Sequence, residues 1–133
     1  MPEANEKEKS LPRGELVIRT IAMPRDTNAN GDIFGGWLVS QMDVGGAIVA
    51  TQTAKSRVAT VAINQLTFIR PVYVGDIICC YAELIKVGTT SMTVEVQAWS
   101  ISADEPERKK VTEGTFVFVA LDKNRKPKPV YGV

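Results

Sequence analysis

The stretch TNANGDIFGGWLVSQMDVGGAI, residues 27–48, decides how the rest of the chain is read. Its polar, turn-rich head passes through a Gly35-Gly36 pair into a strongly apolar segment. Over residues 35–53 the pattern is helical, with Trp37, Leu38, Val39, Met42, Val44, Ala47, Ile48 and Val49 spread around the whole circumference. A helix that is apolar on every side is a buried one. This one carries a single carboxylate, Asp43.

Around the helix the chain is β-rich. Residues 15–22 (ELVIRTIA) read as a first strand ended by Pro24, and residues 24–34 as a loop of turn-forming Asn, Asp and Gly. Residues 58–69 are strand-like and close at Arg70-Pro71, and residues 76–87 follow a turn at Val74-Gly75. Residues 89–102 alternate, with Met92, Val94, Val96 and Ala98 opposite Thr93, Glu95 and Gln97. Residues 110–121 form the last strand. The expected fold class is α+β, an antiparallel sheet of about five strands wrapped around one long central helix. Such a sheet leaves its edge strands open, and pairing two sheets across a dimer removes that liability.

At 133 residues one domain is expected, over 14–123, between a frayed tail at 1–13 and an irregular one at 124–133. A net charge of +1 supplies no bulk attraction for nucleic acid or anionic lipid, so neither is expected as a partner. The apolar runs are broken before bilayer-spanning length, and the charged N-terminus has no signal-peptide apolar region. A cytoplasmic location is the resulting expectation. The adjacent Cys79 and Cys80 point to opposite faces of a strand, which argues against a structural disulfide and favours small buried apolar residues over a redox pair. With no histidine and no Cys/His cluster, the commonest general base and the commonest metal ligand are missing, and no metal or cofactor is expected.

Chemistry therefore starts from Asp43. A buried ionised carboxylate is paired, protonated or functional. Val39, Ser40, Gly46 and Ala47 occupy the positions three and four residues away, so the helix itself offers no cation. Asp43 is either a structural acid at a helix or dimer contact, or a catalytic group. Gly45 and Gly46 each cost about 1 kcal/mol relative to Ala in a helix interior. Two in succession imply a close approach by a strand, a partner helix or a ligand. At the helix start, Gly35 and Gly36 would open the first backbone N–H groups to a substrate oxygen. Asn28 and Asn30 offer side-chain amides for the same purpose, and an ordinary N-cap or Asx turn is the simpler alternative.

These residues closely resemble a known family. TNANGDIFGGW followed by SQMDVGGAI is similar to the signature of the YciA-type acyl-CoA thioesterases of the hotdog superfamily. FIRPVYVGDIICCYAEL and VGTTSMTVEVQAW resemble the strand pattern of that family. The likeness spans residues 14–122. It implies a hotdog fold, dimers assembled into hexamers, and hydrolysis of a broad range of acyl-CoA thioesters, with coenzyme A part of the substrate. It places the general base or nucleophile on Asp43, a contributing amide on Asn28, and carbonyl-polarising donors at Gly35 and Gly36. CoA itself requires basic and turn residues near the site mouth. Candidates are Arg57, Arg70, Lys86 and the turn Gly88, Thr89, Thr90 and Ser91, each of which reads at least as well as solvated surface charge or ordinary turn chemistry. Relatives that carry an acid at the position of Asn64, and those with a longer C-terminal segment, depart from this chain. The alternatives are a noncatalytic acyl-CoA sensor and an acyl-thioester hydratase. The hydratase would ordinarily need the histidine that is absent.

Overall fold

The computed structural model describes residues 11–132. Most of the expected N-terminal tail lies outside them. The described chain runs β1 (Glu15–Ile21), a 3-10 turn (Pro24–Asp26), α1 (Gly35–Ala54), β2 (Arg57–Phe68), β3 (Ile77–Val87), β4 (Ser91–Ile101) and β5 (Lys109–Leu121). The five strands form one sheet in the order β1-β3-β4-β5-β2, and every neighbouring pair is antiparallel. This is the expected α+β arrangement, with all five strands contacting the single long helix.

Strand alternation builds the core. Met92, Val94, Val96 and Ala98 of β4, with Phe116, Phe118 and Ala120 of β5, are fully buried against Leu38, Met42, Val49 and Ala50 of α1. Truncating one such residue, Met42→Ala for example, would cost about 2–5 kcal/mol through lost burial and the cavity left behind. Gly45 and Gly46 are where the helix touches the sheet. A Cβ on Gly45 would lie 2.7 Å from Val17, and one on Gly46 would lie 3.0 Å from the Phe118 ring. Of the sequence alternatives for this pair, strand packing accounts for both glycines.

The helix is not buried on every side. Val44 is 52% exposed, and Gly36, Ser40 and Thr51 are exposed on the same flank. The all-round apolar pattern overstates burial within one chain, because that flank faces away from the sheet. Edge strand β2 is also apolar and open, with Val61 57% and Ile63 40% exposed.

Two termini of the domain are tied down. The Arg13 backbone N–H donates to Gln97 Oε1 at 3.1 Å. The C-terminal segment has no strand or helix, yet it docks beside the β3–β4 turn. Val130 N–H donates to the Thr89 carbonyl at 2.9 Å, and the Val130 side chain is buried. Asp76, in the turn before β3, is a structural acid. It is buried and accepts hydrogen bonds from the Tyr73 N–H at 3.0 Å and the Ser102 hydroxyl at 3.1 Å.

Candidate active site

The loop before α1 is held by its own hydrogen bonds. Thr27 and Ile33 form an antiparallel bridge, and the Phe34 N–H donates to the Asp26 carbonyl at 2.9 Å. Within it, Asn28 Oδ1 accepts from the N–H of Asn30 at 2.9 Å and of Asp32 at 3.1 Å. This is an Asx turn, one of the structural readings open for that asparagine. It also fixes the amide orientation: the oxygen is committed to the backbone, and Nδ2 makes no hydrogen bond among the described residues. Asn28 is thus both the brace of the loop and a donor with spare capacity. Asn30 contributes its backbone N–H to the turn, and its side chain is exposed.

Phe34 occupies the N-cap of α1 and supplies no side-chain cap. The N–H groups of Trp37 and Leu38 both reach the Phe34 carbonyl, at 3.2 and 3.4 Å. No hydrogen bond among the described residues uses the N–H of Gly35 or Gly36. Those two donors carry the partial positive charge of the helix start. A Cβ on Gly36 would meet nothing within 4 Å, whereas one on Gly35 would press on the Phe68 ring at 3.1 Å. Gly36 therefore opens onto free space.

Asp43 is half-buried and forms no ion pair among the described residues. The buried acid expected from the sequence is corrected in this respect: α1 presents Asp43 toward Thr60 of edge strand β2. There the Thr60 hydroxyl donates to Asp43 Oδ1 at 2.6 Å. Thr60 was not legible as a site residue, because nothing in its neighbourhood distinguishes it from any other strand threonine. Gly36 and Asp43 are seven residues apart, nearly two full turns, and so share one flank of the helix. They are separated by roughly 10 Å along its axis. One chain alone does not bring the carboxylate to the helix-start donors.

The candidate CoA contacts divide between the two ends of the sheet. Ser91, Val119 and Ala59 are in register across β4, β5 and β2. That register puts the Gly88–Ser91 turn, Lys86 and Arg57 at one end. The Gly88 N–H donates to the Ser91 carbonyl, and the carbonyls of Thr89 and Thr90 hold Val130 and Ala120. Cavities of about 730 and 530 Å³ flank Arg57 and Leu121 and add Lys55, Lys123, Arg125 and Lys128. These four cations were missed by sequence reading. Three of them sit in the C-terminal run DKNRKPKP, whose docking against the turn depends on Val130. Arg70 lies at the opposite end, its Nη1 donating to the Lys110 carbonyl at 2.9 Å. It borders a cavity of about 350 Å³ beside Ile33, Gly35, Leu38, Phe68 and Val72.

Among the described residues no cluster of three or more metal-ligating side chains occurs, and no helix is long and apolar enough to cross a membrane. Burial, with a further contribution from Cys79, pushes the Cys80 thiol up to about 12. Cys80 is a fully buried core residue whose thiol is held in its protonated form.

An antiparallel sheet thus wraps a central helix whose first N–H groups are unpaired among the described residues and whose open flank carries a carboxylate. A sequence model of the thioesterase superfamily matches residues 30–106. The acyl-CoA thioester hydrolase YciA of Salmonella typhimurium is 57% identical over 124 residues, covering 91% of this chain and 93% of that one. The hexameric thioesterase of Yersinia pestis superposes with a TM-score of 0.87 at 52% identity, covering 92% of this chain and 100% of that one. A hexameric broad-specificity acyl-coenzyme A thioesterase gives a TM-score of 0.86 at 48% identity, covering 92% of this chain and 84% of that one. The chain belongs to the thioesterase superfamily and, within it, to the YciA-type acyl-CoA thioester hydrolases.

Proposed function

We propose that the protein hydrolyses acyl-CoA thioesters to free CoA and a carboxylic acid, over a broad range of acyl groups. The observation that carries the mechanism is Asp43 itself, a carboxylate with no ion-pair partner among the described residues, held through one oxygen by Thr60 on an open flank. As general base it takes a proton from water while the water oxygen bonds to the thioester carbon. As nucleophile it would instead form an anhydride that water then opens. In both routes negative charge develops on the carbonyl oxygen. The N–H groups of Gly35 and Gly36 and the Asn28 amide stabilise that charge. The C–S bond then breaks, and the departing thiolate takes up a proton.

The helix-start donors of one subunit combine with the partner's Asp43, because the axial separation within one chain is too great for a single carbonyl. The open flank of α1 and the apolar β2 edge, Val61 and Ile63 included, supply the surface for that pairing. Dimers grouped in threes, giving a hexamer, extend the same reading. Arg57, Lys86 and the turn Gly88, Thr89, Thr90 and Ser91 bind the CoA phosphates and pantetheine, with Lys55, Lys123, Arg125 and Lys128 adding positive charge. No resident cofactor takes part.

The test is release of CoA thiol from several acyl-CoAs by the wild type and by Asp43→Asn. Turnover abolished in the variant, with substrate binding retained, supports hydrolysis. Tight binding without turnover by the wild type overturns it in favour of a sensor.

A further inference from the structure

Resting on the acyl-CoA reading, we infer that Phe68 is the residue that sets acyl-chain preference, forming the wall of an acyl subsite that starts at the helix-start donors. The last residue of β2, Phe68 turns its ring onto Gly35, close enough that a Cβ there would lie 3.1 and 3.2 Å from two ring carbons. A thioester carbonyl oxygen held by the N–H groups of Gly35 and Gly36 would bring the first acyl carbons against that ring. The cavity of about 350 Å³ at this point has a floor of buried apolar side chains, Ile33, Leu38 and Val72. Its size falls at the small end of ligand pockets, roughly 300–1,000 Å³. Arg70, whose Nη1 donates to the Lys110 carbonyl, also lines the cavity.

Two features make Phe68 the adjustable part of this subsite. The floor residues belong to the core and cannot change volume without loss of packing. Phe68 is 52% exposed within one chain and lies outside that core, so core packing does not fix the volume of its side chain. Asp43 and Asn28 act on the carbonyl common to all acyl-CoAs. Phe68 meets only the part of the substrate that varies. An added or missing methylene in an apolar pocket changes kcat/KM by about 10- to 200-fold, enough for one ring to set a preference.

The experiment measures kcat/KM for CoA release from straight-chain acyl-CoAs, acetyl to dodecanoyl, with the assembled wild type and with Phe68→Ala, Phe68→Leu and Phe68→Trp. Circular dichroism and particle size confirm that each variant is folded and assembled. The expected result is a decanoyl-to-butyryl ratio raised about tenfold in Phe68→Ala, raised less in Phe68→Leu, and lowered in Phe68→Trp. Chain-length profiles that keep the wild-type shape in all folded variants, whether unchanged or uniformly reduced, overturn the inference and leave the hydrolase reading standing. A wild type that releases CoA from none of the substrates overturns the hydrolase reading and this inference with it.

Discussion

The Thr60 hydroxyl donates to Asp43 Oδ1 at 2.6 Å, fastening the carboxylate of the central helix to an edge strand. The bond holds one carboxylate oxygen and restrains the rotamer, while the other oxygen accepts no hydrogen bond among the described residues. A hydrogen bond to a charged group contributes about 1.5–3 kcal/mol. Replacing Thr60 by Val keeps the side-chain shape and removes the donor. The expected outcome is a fall in kcat of about 10- to 100-fold with KM little changed, since the substrate itself is bound elsewhere. Thr60→Ser retains the hydroxyl and should recover most of the rate. Steady-state kinetics on the three proteins check this, and a Thr60→Val enzyme with wild-type kcat would dismiss the positioning role.

Thr60 carries no local signal of its role. The helix, its glycine-marked start and all five strands are legible because local signals coincide there: loop residues before Gly35, alternation in residues 91–101, and Pro or Gly at the strand ends. Asp43 is legible as the one acid in an apolar run. Its partner is 17 residues away and meets it only through the register of β2 against α1. Tertiary register leaves no mark on a threonine. The same limit applies to the C-terminal cations, whose place beside Arg57 depends on the docking of Val130 against the Thr89 carbonyl. Gly45 and Gly46 show the converse. Their sequence signal, close approach, is correct, but only the fold identifies the approaching groups as Val17 and Phe118.

The cysteine pair gives a prediction with a pH sign. Burial holds the Cys80 thiol neutral, with its titration pushed up to about 12 from the ordinary thiol value of 9.0. The native state thus keeps its proton where the unfolded state has lost it, and stability falls as pH rises from 9 toward 12. Below pH 9 the group makes no such contribution. Urea unfolding from pH 8 to pH 10.5 should show this decline, and Cys80→Ala should flatten it. At pH 8 a thiol reagent should label neither buried cysteine in the native protein and both after unfolding. Rapid native labelling of Cys80 would contradict the burial.

Thr112 carries a stability prediction. It faces the core opposite Phe68, is fully buried, and its hydroxyl has no hydrogen-bond partner among the described residues. An unsatisfied buried hydroxyl costs about 1–3 kcal/mol. Thr112→Val keeps the volume and removes the polar atom, so it should raise the unfolding free energy by about 1 kcal/mol, measured as a higher urea midpoint at unchanged slope. A lower midpoint would mean that the hydroxyl is satisfied in solution.

The last prediction concerns the assembly. Gly36 and Asp43 share one flank of α1, yet stand roughly 10 Å apart along its axis. Asp43 faces the β2 edge, where Val61 and Ile63 are exposed. If each site takes Asn28 and the helix start from one subunit and Asp43 from the other, Asp43→Asn and Asn28→Ala are each inactive alone. A mixed dimer of the two then contains one site with both native groups and one with neither. Co-expression with two affinity tags isolates that mixed species, and its activity should return to about half of the wild-type value per dimer, one site in two of a two-fold assembly. Sites built within single chains would leave every site in the mixed dimer missing one group. Verified mixed dimers without activity would therefore place Asp43 and Asn28 in the same subunit's site and remove the shared-site mechanism.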